Sequence, residues 1–351
     1  MGKNRSIPVH PLLLAAMITV IAGGIVLSFL FYRVVHAPNT DLGDRQSIPL
    51  YIPSGSSYED VRQLLEEENI LVCSRRFDWL AHKKNYPGRV QPGKYRIYDG
   101  MSNNELINLL RSGEQEPVRL TFTNIHTEGQ LAGTIASQLE ADSISIIRLL
   151  NDGEILEETG FTRETIKLLF IPNTYEVYWT TSPRRLLNRM QREYRAFWNE
   201  PRREKADEIG LSPREVGILA SIVQRETSKQ DEMAKIAGVY INRLNRGILL
   251  QADPTVVYAH GDFSIGRVLN SHLEIDSPYN TYKYAGLPPG PITLPEPPVM
   301  DAVLNYEEHN YIYFSAREDF SGYHNFAETY AEHLANARRY RQALNERRIF
   351  R

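Results

Sequence analysis

Cysteine is nearly absent from this sequence, since Cys73 is the only one among 351 residues. A single thiol cannot form an internal disulfide, and the sequence contains neither a cysteine pair nor an HExxH pattern of the kind that holds zinc. An excess of charge of one sign is also missing, because 40 basic and 43 acidic residues leave a net charge of −3. Nucleic-acid binding needs a basic surface that this balance does not supply. We therefore expect no disulfide framework, no metal or other cofactor, and no nucleic-acid partner.

Charged residues are missing from one segment near the N-terminus, residues 12–32, which is a run of 21 mostly apolar residues. At about 1.5 Å per residue, a helix of this length crosses the roughly 30 Å hydrocarbon layer of a membrane. A cleaved signal peptide is the alternative, but the run is longer than the apolar part of such a peptide and lacks a convincing cleavage site. We predict a retained transmembrane helix that follows a short tail of residues 1–11. The basic residues on its two sides are equal in number, so the positive-inside rule gives no orientation.

The remaining chain divides by its patterns into a linker, a small module and a larger domain. The polar residues 33–47 are predicted to form the linker. Capping boxes that start at Ser56 and Ser102 predict two helix starts within residues 48–113, where a strand, two helices and a second strand follow one another. This order resembles a LysM-like module, the class that binds N-acetylated glycans; a structural spacer is the alternative interpretation. Residues 118–351 are predicted to form one larger α+β domain.

The clearest helix start of the larger domain is at Ser212, with Pro213 after it and a glutamate three residues on. The predicted helix runs through an apolar stretch and reaches Glu226 at its C-terminal end. Desolvation and the negative end of the helix dipole both raise the pKa of a carboxyl group in that position. A carboxylic acid that stays protonated near neutral pH is what cleavage of a glycosidic bond requires. The alternative is that Glu226 is a solvated residue at a helix end, paired with Arg225 or Lys229.

Polar and aromatic side chains follow on a second helix, on loops stiffened by proline and glycine, and near the C-terminus. Such loops can hold ligand-binding groups in fixed positions, although ordinary turn chemistry explains them equally well. Histidines of the C-terminal part are not expected to bind a metal, because no pattern of further ligands accompanies them. The predicted ligand-binding residues are Asn242, Gln251, Thr255, Asn280, Tyr282 and His324.

Five blocks of sequence around these residues occur in a specific order. They are LASIVQRET (219–227), VYINRL (239–244), LQADPTV (250–256), YNTY (279–282) and GLPPGPI (286–292). In order and spacing they resemble the YceG-like family, the endolytic murein transglycosylases of the MltG type. The resemblance places the family's catalytic glutamate at Glu226. Members often carry another glutamate two residues earlier, where this sequence has Gln224. The sequence departs from the family at Asn173, which replaces an aspartate, and around His126, which interrupts a strand-to-helix turn.

The resemblance implies an activity and a location. Members are single-pass proteins of the bacterial inner membrane, with a cytoplasmic tail and a periplasmic enzyme domain. They act as lyases, cleaving nascent peptidoglycan strands between N-acetylmuramic acid and N-acetylglucosamine and leaving 1,6-anhydro ends that terminate elongation near the synthases. One carboxylate suffices, because the C6 hydroxyl of the muramic acid is an intramolecular nucleophile. Gln251, Asn280 and Tyr282 are expected to position the sugars. A membrane-anchored glycan-binding scaffold of the wall-synthesis machinery is the alternative.

Overall fold

The computed structural model describes residues 11–347 of the chain. The predicted tail of residues 1–11, apart from Pro11, therefore lies outside the described residues, as do residues 348–351. The chain divides into two compact units. The first unit ends at Val118 and also includes Val177–Thr180, and the second contains Arg119–Glu176 and the chain from Thr181 onward. Helices and strands occur in both units, so the predicted α+β class is confirmed.

The first unit begins with a long apolar helix, α1 (Pro11–Val35). The stretch Leu12–Val35 has a mean hydropathy of 2.5, and the side chains of residues 12–33 are exposed, so its length and composition suit a membrane span. The helix does not end in solvent, because Val35 is buried in the core of the first unit. The Nδ2 amide of Asn103 also donates to the carbonyl of Val34 at 2.7 Å. The end of α1 is therefore fixed to the folded unit that follows it.

The segment that the sequence predicts as a linker, residues 33–47, is packed into the first unit. Asn39, Thr40 and Leu42 are buried. The Nδ2 amide of Asn39 donates to Oδ1 of Asn103 at 2.7 Å, and Oγ1 of Thr40 accepts from the backbone N–H of Met101 at 2.7 Å. The polar side chains of this segment suggested a linker. In the structure they form hydrogen bonds with other polar groups inside the first unit, because a buried polar group needs a hydrogen-bond partner. The difference from the prediction arises because these partners lie about sixty residues away in the sequence.

Two antiparallel strands and three helices form the rest of the first unit. These elements are β1 (Ser47–Ile52), α2 (Tyr58–Glu67), α3 (Ser74–Lys83), β2 (Gly93–Tyr98) and α4 (Asn103–Ser112). Strand β1 pairs with β2, so that Ser47 lies opposite Tyr98 and Ile52 opposite Gly93. Helix α4 begins with the predicted capping box at Ser102. The capping box of α2 uses Ser57, one residue after the predicted start. A helix that begins there places Tyr58, Val61 and Leu65 on the face that packs into the core.

The second unit is mostly helical and contains two short pairs of strands, of which the second is antiparallel; Val118 and Val177, at the ends of the first pair, belong to the first unit. Strand β3 pairs with β4, and β5 pairs with β6 with Tyr313 opposite Ala327. Its elements are β3 (Val118–Thr121), α5 (Glu128–Ala136), α6 (Ser143–Leu150), α7 (Gly153–Thr159), β4 (Thr174–Val177), α8 (Pro183–Phe197), α9 (Glu200–Glu208), α10 (Pro213–Glu226), α11 (Gln230–Asn245), α12 (Asp253–His260), α13 (Pro297–Leu304), β5 (Tyr313–Ala316), β6 (His324–Ala327) and α14 (Tyr330–Glu346).

Helices α10, α11 and α13 pack together in the core of the second unit. Every residue of α10 between Val216 and Val223 is buried, and full burial of one such aliphatic side chain contributes roughly 1.5–3 kcal/mol. Gly238 of α11 packs so closely against the Glu307 carbonyl that a Cβ atom would collide with it. Burial therefore fixes α10 in this core, and close packing fixes the middle of α11 against the chain at Glu307.

Candidate active site

Glu226 is the last residue of α10, at the position that the sequence predicts. The helix starts at Ser212, whose Oγ accepts from the N–H of Glu215 at 3.3 Å while Oε2 of Glu215 accepts from the N–H of Ser212 at 2.8 Å. Beyond the buried stretch of α10 the chain reaches the edge of the core, where Glu226 is half-buried. A helix fixed at both its start and its middle thus carries this carboxyl group to the surface of a cavity.

The surroundings of Glu226 favour its protonated form. Burial raises the pKa of Glu226 from 4.5 to about 7, and the charge of Asp253 acts in the same direction. Tyr240 opposes this effect, because its hydroxyl donates to Oε1 of Glu226 at 2.5 Å and so stabilises the carboxylate; Arg243 lowers the pKa further. Desolvation outweighs both, in the direction expected from the sequence. Glu226 therefore keeps its proton to a higher pH than a solvated glutamate does.

Glu226 and Asp253 lie where two cavities of the second unit adjoin, since they line both of them. The first cavity has a volume of about 330 Å³ and the second about 350 Å³. His126, Tyr258 and Phe263 line the first, and Tyr240, Arg243, Gln251, Tyr282 and Tyr313 are among the residues that line the second. A ligand longer than either cavity can therefore pass over the two carboxyl groups.

Gln251 and Tyr282 are the predicted residues that the fold brings together with Glu226, on the wall of the second cavity. The Tyr282 hydroxyl donates to Oδ1 of Asp253 at 2.5 Å, and burial raises the pKa of Tyr282 above its usual value. Gln251 adopts a left-handed backbone conformation with φ of 51°, and its Oε1 accepts from Arg243 at 3.3 Å. Both side chains therefore belong to a hydrogen-bonded wall next to the half-buried acid.

Asp253 and Arg243 belong to the same site, and both were missed by the sequence interpretation. Asp253 is the first residue of α12, and the LQADPTV block contained it. Arg243 is buried on α11, where its Nε donates to the Ile312 carbonyl at 2.6 Å and its Nη1 donates to the Leu250 carbonyl at 2.9 Å. Both residues lie within the sequence blocks that resemble the family, next to or near residues that were predicted to bind a ligand. That position in the blocks is the feature from which they could have been predicted.

Thr255 and Asn280 are fully buried, so they present no surface to a ligand. Oγ1 of Thr255 donates to the Ala252 carbonyl at 2.7 Å. The Nδ2 amide of Asn280 donates to the carbonyls of Leu273 and Ile275, and its Oδ1 accepts from the N–H of Tyr282 at 3.0 Å. These two side chains hold in place the loops that carry Gln251 and Tyr282.

Asn242 and His324 lie outside the residues that line the two cavities. The Nδ2 amide of Asn242 donates to the carbonyls of His309 and Tyr311 at 2.7 and 3.0 Å. Nδ1 of His324 lies 2.9 Å from Oε2 of the buried Glu232, whose Oε1 accepts from the N–H of His324. Both side chains tie α11 to the C-terminal part of the second unit.

The sequence departs from the family pattern at Gln224 and His126, and the two side chains make different contacts in the structure. Gln224 donates to the Leu294 carbonyl at 3.3 Å and accepts from the N–H of Glu296 at 2.7 Å, so it fixes the chain after the GLPPGPI block. His126 lines the first cavity and stacks on Phe263, with ring centroids 4.6 Å apart. Burial lowers the pKa of His126, with Arg225 contributing, and both effects favour the neutral ring.

This arrangement can perform general acid–base catalysis. A carboxyl group with a pKa of about 7 can protonate a leaving group near neutral pH and then accept a proton. Tyr240 holds the carboxyl group in one orientation, and Asp253 places a second carboxyl group on the same cavity walls. Among residues 11–347, no group of three or more His, Cys, Asp or Glu side chains is placed to hold a metal ion.

Comparisons with known proteins agree on one family. The sequence model of the YceG-like family matches residues 50–339. The endolytic murein transglycosylase of Bacillus subtilis (strain 168) is 28% identical over 336 residues, which cover 91% of this chain and 92% of that protein. The endolytic murein transglycosylase of Streptococcus pneumoniae serotype 2 is 27% identical over 79% of this chain, and the match spans 55% of its own length. A crystal structure of a YceG-like protein from Listeria monocytogenes superposes with a TM-score of 0.56 at 26% identity, over 83% of this chain and 98% of that one.

Proposed function

The chain belongs to the YceG-like family, and from this membership we propose that it is an endolytic murein transglycosylase with Glu226 as its catalytic acid. Its substrate is the glycan strand of peptidoglycan, and its reaction is that of a lyase, as for the relatives that bear this name. The position of Glu226 is the observation that supports its assignment as the acid. Its carboxyl group has a pKa of about 7 and lines both cavities. An endolytic enzyme needs sugar-binding space on both sides of the bond that it cuts.

The first step is the breaking of the glycosidic bond. The protonated carboxyl group of Glu226 gives its proton to the oxygen between N-acetylmuramic acid and N-acetylglucosamine. As the bond breaks, positive charge develops at C1 and on the ring oxygen of the muramic acid. Asp253, which lines both cavities, supplies a carboxylate to stabilise this charge. General acid catalysis of this kind contributes about 10² to 10⁴ in rate.

The second step closes the anhydro ring. The C6 hydroxyl of the same muramic acid attacks C1, and the Glu226 carboxylate takes the hydroxyl proton. Glu226 returns to its protonated form, and no water is consumed. The raised pKa serves both steps, because a group that titrates near the working pH can donate and then accept. An intramolecular nucleophile has a high effective concentration, which explains how the reaction proceeds without a second carboxylate as nucleophile.

The neighbours of Glu226 have positioning roles in this proposal. Tyr240 orients the carboxyl group and keeps its pKa from rising further. Gln251 and Tyr282 offer amide and hydroxyl groups to sugar in the second cavity. The buried Thr255 and Asn280 act indirectly, by holding the loops of these residues. Asn242 and His324 stay predictions as sugar ligands, and their hydrogen bonds favour a structural role.

We further propose that α1 is a single-pass anchor in the bacterial inner membrane, with both folded units on the periplasmic side. Murein occurs outside the cytoplasm, and the exposed apolar helix Leu12–Val35 is long enough to span the bilayer. The module of residues 48–113 is proposed to grip glycan in the manner of LysM domains, and residues 118–351 to form the catalytic domain that works near peptidoglycan synthases. Protease added to spheroplasts should digest both units, and resistance of the folded units would contradict the orientation.

The experiment that tests the function compares Glu226→Gln with Glu204→Gln in the full chain. Glu204 is exposed on α9, which makes it a matched control; Glu232 is unsuitable because it is buried and holds His324. Each variant is incubated with purified glycan strands, and mass spectrometry counts the anhydro-muramic ends. We expect Glu226→Gln to lose at least about 100-fold in rate and Glu204→Gln to keep the parent rate. Near-normal cleavage by folded Glu226→Gln would refute the assignment, and strand binding without cleavage by the parent protein would favour a scaffold.

A further inference from the structure

A third cavity of the second unit, about 400 Å³ in volume, adjoins the first. Tyr258 lines both cavities. The other part of the boundary is the backbone at His126, whose side chain lines the first cavity and whose carbonyl accepts from Nζ of Lys167 in the third at 2.9 Å. The two cavities therefore adjoin at Tyr258 and at the backbone of His126. The reaction proposed for Glu226 uses no residue of this third cavity.

The third cavity contains a buried cation. Only 2% of the Lys167 surface is exposed, and its Nζ donates to the His126 carbonyl and to the Tyr258 hydroxyl at 3.1 Å. Both acceptors are neutral, and an ammonium group has three donors, so one donor is left for another acceptor. Burial lowers the pKa of Lys167 to about 8, which reflects the energetic cost of a desolvated ammonium. A buried cation that lines a cavity is a candidate for binding an anion there.

Two carboxylates, those of Glu128 and Glu164, share the cavity with Lys167 and Arg163. The charge of Glu128 acts to raise the pKa of Lys167, against the larger effect of burial. A hydrogen bond from Thr162 and the charge of Arg163 act to lower the pKa of Glu164. Lys167 is the buried member of this set and keeps one donor for a ligand, and Arg163 adds a cation at the exposed side of the cavity.

We propose that the third cavity binds a free carboxylate of the peptide that substitutes the muramic acid, with Lys167 and Arg163 as its ligands. This inference rests on the proposed function, because it takes the sugar in the first cavity to be a muramic acid. The backbone of the glycan is neutral, and the free carboxylates of a murein strand belong to its lactyl-linked peptides. An extended dipeptide spans about 7 Å, so a peptide on a muramic acid in the first cavity can extend into the cavity that adjoins it. Tyr258 and Tyr279, whose ring centroids are 4.7 Å apart, offer an apolar surface to the aliphatic part of the peptide.

The test uses the full chain and two substrates that differ only in their peptides. One is uncrosslinked strands with intact stem peptides, and the other is the same strands after chemical amidation of the peptide carboxylates. Lys167→Met removes the buried charge, Arg163→Gln removes the exposed one, and Arg195→Gln on the exposed face of α8 is the control. Since a hydrogen bond to a charged group contributes about 1.5–3 kcal/mol, we expect KM for peptide-bearing strands to rise roughly tenfold in Lys167→Met. KM for amidated strands and kcat should stay unchanged.

A binding measurement separates this proposal from the proposed function. The probe is a synthetic lactyl tripeptide with free carboxylates, titrated into the full-length Glu226→Gln protein by calorimetry, and its amidated form is the control. Affinity should fall at least roughly tenfold on amidation, and Arg163→Gln should weaken binding of the free form. Arg163 is exposed, so this variant tests the site even if Lys167→Met does not fold. Strand cleavage without any peptide discrimination or binding would overturn the cavity proposal and leave the function intact. Peptide binding by a parent protein that cuts no strand would support the cavity proposal and refute the proposed function.

Discussion

The desolvated carboxyl group of Glu226 makes the stability of the protein depend on pH in a defined direction. Its pKa is about 7 in the folded protein and 4.5 when fully solvated, so the folded state keeps a proton that the unfolded state releases between these values. Stability from this group is therefore complete below pH 4.5 and is lost as the pH rises through 7. A pKa difference of about 2.5 corresponds to roughly 3 kcal/mol, as an upper bound.

Glu226→Gln removes this ionisation and keeps an amide oxygen that can accept from Tyr240. We expect the variant to unfold like the parent protein at pH 4.5 and to be more stable at pH 8 by up to roughly 3 kcal/mol. For a unit of this size, that corresponds to a rise in Tm on the order of 5 to 10 °C. The same substitution should abolish turnover, so stability and activity would change in opposite directions.

The assay is thermal unfolding followed by circular dichroism at pH 5 and pH 8, with Glu204→Gln as the control. The parent protein should lose Tm relative to Glu226→Gln as the pH rises, and kcat/KM of the parent should fall above pH 7, because the acid form disappears. If the difference in Tm between Glu226→Gln and the parent is the same at both pH values, the carboxyl group is not desolvated. The argument for Glu226 as an acid at neutral pH would then fail.

Three further substitutions test the surroundings of the site. Tyr240→Phe removes the donor that stabilises the Glu226 carboxylate, so the alkaline limb of the pH–rate profile should move to higher pH; an unmoved limb would contradict this. Asn280→Ala removes the donor to the half-buried carbonyls of Leu273 and Ile275, so we expect a loss of about 1–3 kcal/mol in chemical denaturation, with a raised KM for glycan. Gly290→Ala forces a methyl group against the Glu164 carbonyl, so we expect a loss of about 1–3 kcal/mol in the same assay, and an unchanged midpoint would count against the packing described.

Helix starts and ends could be predicted because the interactions that define them are local. The capping boxes at Ser102 and Ser212 involve residues three apart, and each helix begins where the sequence predicts. The apolar stretch that follows Ser212 predicts a buried helix for the same reason, and Glu226 follows directly from its end. The helix over residues 12–32 could equally be predicted from length and composition, and α1 extends it by one residue at its start and three at its end.

The roles of individual polar residues could not be read in this way. Thr255 and Asn280 were predicted to bind a ligand, yet they are buried and bond to loop carbonyls. Asn39 and Thr40 were taken as parts of a linker, yet they are buried in the first unit. The sequence shows the same polar residue whether its side chain contacts water, a ligand or a distant backbone group. The fold alone chooses between these partners.

The sequence by itself determined that a carboxyl group ends an apolar helix, since both features lie within fourteen consecutive residues of α10. Only the tertiary structure decided what that carboxyl group meets. Tyr240 reaches Glu226 from the next helix, and Asp253 shares its two cavities from the start of α12. The balance between desolvation, a hydrogen bond and a neighbouring charge sets the pKa of Glu226, and each of these depends on distances in space. Because such distances are fixed by packing between elements, the order of residues along the chain could indicate the acid but not its strength.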